Sequence, residues 1–136
     1  MLDLLTAPEP PSVREVCGIE QIRAARRVVG HVFIDDKVRD YIVRLGRASR
    51  HPEEVGRPNL VPLVALGVSP RAFQHILALS RVTAFLGGRD YVLPADVKSI
   101  FPDASRHRIA RSVRAEVEDI STDTVVAELL EATPVP

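Results

Sequence analysis

An all-α fold, a small bundle of four to five helices with room for one short strand pair, is what this sequence predicts, on three observations. Apolar residues recur at intervals of three and four in several separate stretches, the spacing that gathers them on one face of a helix. Residues suited to helix ends (Ser, Asp, Pro and Gly) stand at the margins of those stretches. The chain has 136 residues, 46% of them apolar and 26% charged, which suits one domain with a single core.

Residues 1–15 contain Pro8, Pro10 and Pro11 with little periodicity and read as an extended linker from something upstream, so the folded domain is expected over 16–136. From Gly18 to Val29, Ile19, Ile22, Ala25 and Val29 make a modest stripe beside Arg23, Arg26 and Arg27, and Gly30 is expected to break the helix. The three arginines suit either an interface or a solvated face. Val32-Phe33-Ile34 is a short apolar link, after which Asp35 is placed to cap a core helix carrying Val38, Tyr41, Ile42, Leu45 and Ala48. His51 to Leu66, rich in Pro and Gly at first, reads as a loop with at most one short helix.

The most regular helix begins in Gly67-Val68-Ser69-Pro70-Arg71-Ala72-Phe73. Gly67 permits a sharp turn, Ser69 is a candidate cap, and Pro70 suits the first helical position because it has no N–H to lose. Phe73, Ile76, Leu77 and Ala84 form its stripe, widened by Ala72, Leu79 and Leu86 and stopped at Gly87-Gly88; Arg71, Gln74, His75 and Arg81 take the other face. Tyr91-Val92 reads as a short extended pair, and Pro94 to Phe101 as a short helix ended by Pro102. Over Ala104 to Ile120, Ile109, Val113 and Val117 fit a helix, while the alternation around Ile109 also fits a strand. Ser121 then caps a last helix that buries Val125, Val126, Leu129 and Leu130.

Composition excludes several classes of function. The net charge is formally zero, so no broad attraction to nucleic acid or anionic membrane is implied, although sixteen of the eighteen basic residues are Arg. A single cysteine, Cys17, excludes an intramolecular disulfide, and no basic stretch leads into a signal-peptide core, which fits a reducing cytoplasm. No apolar run approaches the length of a membrane-spanning helix. His51 with Glu53 and Glu54 lacks a second ligand cluster, and His31, His75 and His107 are isolated, so no metal site is expected. No Gly-x-Ser-x-Gly signature marks a nucleophile. A phosphate loop needs a lysine directly after glycine, but Lys37 follows Asp36 and Lys98 follows Val97, so the chain alone is not expected to hydrolyse ATP.

Arg71 carries the chemistry. A cation in the first helical turn faces the positive end of the helix dipole, which costs about 0.3–1 kcal/mol, and an anion bound there would remove the conflict. Free N–H groups and a guanidinium converging on one point form a phosphate-binding arrangement. The same residues, by themselves, also suit an ordinary helix start with a solvated arginine.

Gly67-Val68-Ser69-Pro70-Arg71-Ala72 resembles the sensor 2 motif in the C-terminal lid of MoxR-type AAA+ ATPases. Four further stretches resemble the same lid in the same order: Tyr41-Ile42-Val43, Ser49-Arg50-His51-Pro52-Glu53-Glu54, the run from Phe85 to Val97 through Gly87-Gly88-Arg89-Asp90-Tyr91-Val92, and Arg106-His107-Arg108-Ile109. The resemblance covers residues 16–136 and implies a helical lid completing an ATP site with an upstream AAA+ core. It implies that Arg71 is catalytic, reaching the γ-phosphate, with Ser69, Pro70 and Arg71 contacting ATP and the core holding Mg2+. It further implies a ring of like subunits, a hexamer, that remodels or matures partner proteins in a chaperone-like way, among them proteins with von Willebrand factor A domains. Val68, Phe73, Gln74 and Leu93 depart from the family pattern, Leu93 standing where a threonine normally caps the helix at Pro94. The rival reading from the residues is a non-enzymatic helical binding module, DNA-binding or adaptor, for which a basic recognition helix would be the sign.

Overall fold

The computed structural model describes residues 14–136, so the linker expected over 1–15 lies almost wholly outside the described residues. Five helices of eleven residues or more and one of five make up the helical body: α1 Ile19–His31, α2 Asp36–Ala48, α3 Pro70–Leu86, α4 Pro94–Ser105, α5 Val113–Val117 and α6 Thr122–Ala132. A single strand pair joins them among the described residues. β1 (Val64–Leu66) runs antiparallel to β2 (Ala110–Arg111), with Val64 opposite Arg111 and Leu66 opposite Ala110.

The main core lies between α2, α3 and α4. Val38, Tyr41, Ile42 and Leu45 from α2 meet Ala72, Ile76 and Ala84 from α3 and Val97, Phe101 and Ala104 from α4. Burying each of the larger side chains contributes about 1.5–3 kcal/mol. A second cluster joins Ala48, Leu60, Leu63, Ala115, Val125 and Leu129, so α6 closes the bundle over the turns that follow α2. Asp35 caps α2 through Lys37 N–H at 2.8 Å, and Ser121 caps α6 through Thr124 N–H at 3.1 Å, both as their sequence positions predict.

Elsewhere the elements depart from their local signals. α1 continues through Gly30 to His31 and buries no residue, whereas Gly30 was expected to break it; one glycine costs a helix only about 1 kcal/mol. α4 likewise continues across Pro102 to Ser105, because Phe101, Ala104 and Ser105 are buried there and the proline removes only one N–H. His51 to Leu66 holds two 3-10 helices, Pro52–Val55 and Pro58–Leu63, rather than one. Neither single pattern over Ala104 to Ile120 wins: the segment passes from the end of α4 through a 3-10 turn at Arg106–Arg108 and β2 into α5. Tyr91 does pair in extended form, with Phe33 as a lone parallel bridge.

Candidate nucleotide-contacting site

The start of α3 is built from two helices. Ser69 is the N-cap residue with an extended backbone and Pro70 is the first helical residue, as expected, but the Ser69 hydroxyl accepts no hydrogen bond from the first turn. This corrects its role: only its backbone carbonyl serves the helix, accepting Ala72 N–H at 2.9 Å. Pro70 has no N–H, and the Arg71 N–H has no backbone partner among the described residues. Ser69, Pro70 and Arg71 are all exposed. Arg71 forms no ion pair among the described residues, whereas Arg47, Arg89 and Arg114 each hold a carboxylate.

What holds this start is the end of α2. Ser49, wholly buried, donates its hydroxyl to the Gly46 carbonyl at 2.7 Å and accepts Val68 N–H at 3.0 Å. Gly67 passes so close that a Cβ on it would stand 2.4 Å from the Ser49 carbonyl oxygen, so glycine is required here by proximity rather than by φ. On the far side of Arg71, the Phe73 ring occupies the space above Gly46, where a Cβ would stand 1.8 Å from Phe73 Cε1. Arg50 covers that ring with its guanidinium 5.7 Å from the centroid, within cation–π range. None of Gly46, Ser49 or Arg50 was singled out from sequence as part of the site. The one signal was the resemblance at Ser49-Arg50-His51-Pro52, which carried no role for them.

The stripe of α3 is narrower than its sequence suggests. Ala72, Ile76, Ser80 and Ala84 are buried and Phe73, Leu77 and Phe85 half-buried, but Leu86 is 77% exposed and Leu79 also reaches solvent. Gln74 and His75 are exposed beyond Arg71, while Arg81 is half-buried with its Nε unpartnered.

At the other end of α3 the run after Gly87-Gly88 forms a staple. Arg89 grips Asp96 with two bonds, of 2.7 and 2.6 Å, and the same carboxylate accepts Leu93 N–H at 2.8 Å. The missing threonine cap is made good in this way: Leu93 cannot cap, but the Asp96 carboxylate one turn into the helix does so. The Arg89 guanidinium holds Asp96 below the ordinary carboxylate value, against the opposing pull of burial and with help from Leu93 N–H. Arginines between Arg106 and Arg114 are also largely engaged: Arg106 by Asp103 and Asp123, Arg111 by the Ile120 carbonyl, Arg114 by Glu118. They do not form the open basic face that a DNA-reading helix needs.

A hollow of about 530 Å³ is lined by Lys37, Asp40, Val43, Arg44, Arg47 and Pro136, and Arg71 is not part of its lining. No group of three or more His, Cys, Asp or Glu that could hold a metal gathers among the described residues. The start of α3 is therefore one open wall of donors, able to face an anion but not to enclose it. No described helix is long and apolar enough to cross a membrane.

Comparison with known proteins defines the class. The family described as the AAA lid domain matches residues 61–129, and the chain belongs to it. Chaperone MoxR1 of Mycobacterium tuberculosis is 33% identical over 93% of this chain and 34% of its own length. Protein MoxR of Paracoccus denitrificans is 37% identical over 53% of this chain and 22% of its own. A crystal structure of a protein assigned as an ATPase from Cytophaga hutchinsonii superimposes with a TM-score of 0.93 at 27% identity, over 99% of this chain and 41% of the other. Within the AAA lid class, this is the C-terminal lid of a MoxR-family AAA+ ATPase. The chain spans less than half the length of the relatives it matches.

Proposed function

We propose that this lid completes the ATP site of a MoxR-type AAA+ ATPase and supplies Arg71 as its sensor 2 arginine. The observation that supports this most is the first turn of α3, where an exposed arginine with no carboxylate partner among the described residues stands beside an N-cap hydroxyl that takes no N–H from that turn. That turn fits a terminal phosphate, because a guanidinium offers two parallel donors and the helix end favours negative charge. Ser69 and Pro70 form the surface that borders the phosphate, and Arg71 stabilises the charge that develops on it during transfer. Mg2+ fits the core and not this chain, whose described residues gather no carboxylate cluster.

Residues 1–15 link the lid to that core in this reading, and the lid over 16–136 moves as one body when ATP is turned over. The assembled enzyme is a cytoplasmic ring of like subunits, a hexamer, that remodels partner proteins, including proteins with von Willebrand factor A domains; this part rests on family membership. The lid alone does not hydrolyse ATP.

The test is Arg71→Ala in the assembled ATPase, core plus this lid. A charge-assisted hydrogen bond is worth about 1.5–3 kcal/mol, so ATP affinity or turnover falls by roughly ten- to a hundredfold. Arg81→Ala, whose side chain is half-buried farther along α3, leaves hydrolysis near wild type. The lid carrying Arg71→Ala melts within a few degrees of wild type, since the side chain is exposed. Unchanged binding and hydrolysis would defeat the assignment.

A further inference from the structure

We propose that Ser49 is a positioning residue for Arg71: a hydroxyl at the end of α2, and not the cap residue of α3, sets where the phosphate-facing turn stands. The inference rests on the reading of Arg71 given above. A helix start with a working side-chain cap is located by its own sequence. The start of α3 has none, because the Ser69 hydroxyl accepts nothing from the first turn. Its location must come from elsewhere, and Ser49 is the buried polar group that reaches it.

The Ser49 hydroxyl uses both of its capacities, donating to Gly46 and accepting from Val68 N–H. Those bonds tie the last turn of α2 to the residue just ahead of Ser69. Gly67 removes the side chain that would hold the two segments apart, and Val68 and Ala72 are wholly buried. Phe73 in the notch over Gly46 fixes the following turn. The backbone is thus held on both sides of Arg71, while Ser69, Pro70 and Arg71 themselves face solvent. Replacing Ser49 by alanine leaves Val68 N–H buried without its acceptor, and the turn is released to find another. An arginine that acts by direct donation is sensitive to such a shift, since a displacement of about 1 Å can cost about a hundredfold in rate.

The experiment is a double-mutant cycle on ATP hydrolysis by the assembled ATPase: wild type, Ser49→Ala, Arg71→Ala and the pair together. Ser49→Ala lowers kcat/KM about tenfold when Arg71 is present and less than about twofold in the Arg71→Ala background. In parallel, amide hydrogen exchange of Val68 in this chain speeds up about tenfold or more in Ser49→Ala. Ser49→Cys, nearly isosteric with a weakly bonding thiol, enters the same cycle if Ser49→Ala does not fold. An equal loss of activity in both backgrounds makes Ser49 a residue of general stability and overturns the proposal, as does unchanged Val68 exchange. If Arg71→Ala alone is silent, the nucleotide reading has failed and the positioning inference falls with it, an outcome the single variant identifies before the cycle is closed.

Discussion

At the start of α4, Asp96 accepts the Leu93 N–H while Arg89 grips the same carboxylate; at the start of α3, the Ser69 side chain accepts nothing from the first turn and Arg71 stands exposed. The residues alone suggest the reverse, since serine is a good cap and leucine is not a cap at all. The two starts differ in what occupies the positive end of the helix. In α4 that end is filled from within by a carboxylate, which neutralises the dipole and closes the site. In α3 it is left open and even carries a cation, and the end of α2 supports the turn from outside through Ser49. In the proposed reading, the start of α4 serves structure and supplies its own anion, while the start of α3 leaves room for that of a ligand.

The comparison breaks most sharply at the closed start. Asp96→Asn removes the charge that Arg89 and Leu93 N–H both use, and it should cost about 1.5–3 kcal/mol in denaturant melts of the lid. Its pH dependence follows from the depressed pKa. The contribution is fully present above the unfolded value, near 3.8, and is lost as pH falls through the lower folded value. Wild type should therefore lose more stability than Asp96→Asn between about pH 4 and pH 2. Equal acid slopes in the two proteins would remove Asp96 as the cause.

A change at the support of the open start comes next. Gly46→Ala drives a methyl into the Phe73 ring and should cost about 1–3 kcal/mol, the usual range for overpacking. Combining it with Phe73→Leu should recover part of that loss, and strict additivity of the two would show that they do not share the space. The smallest effect tests the open start itself. Ser69→Ala should change stability by less than about 0.5 kcal/mol because no cap bond is lost, whereas Asp35→Ala at the start of α2 should cost about 1 kcal/mol. Equal losses at the two positions would show that Ser69 caps in solution.

Much of the architecture was legible where one residue type has one use. Asp35 and Ser121 cap as their positions suggest, and the period of α2 marks Val38, Tyr41, Ile42 and Leu45 as core. Legibility failed where two segments distant in sequence decide the matter. The pairing of Val64 with Arg111 has only the alternation around Ile109 as a local sign, and Pro102 lies inside a helix because the burial of Phe101 and Ala104 outweighs a cost of a few kcal/mol. The candidate site divides along the same line. Arg71 stands out as a candidate through its place after Ser69-Pro70 together with the family resemblance, but Gly46 and Ser49 do not, since a glycine and a serine near a helix end have many ordinary uses.

The notch beneath Phe73 also constrains the order in which this sequence could have changed. The ring of Phe73 fits only while position 46 has no Cβ. With glycine already at 46, a smaller residue at 73 would leave a void that neighbours can partly fill. With any larger residue at 46, phenylalanine at 73 would meet it head-on. The constraint therefore runs one way: position 46 cannot gain a side chain while the ring is seated, whereas position 73 can shrink at the cost of a void.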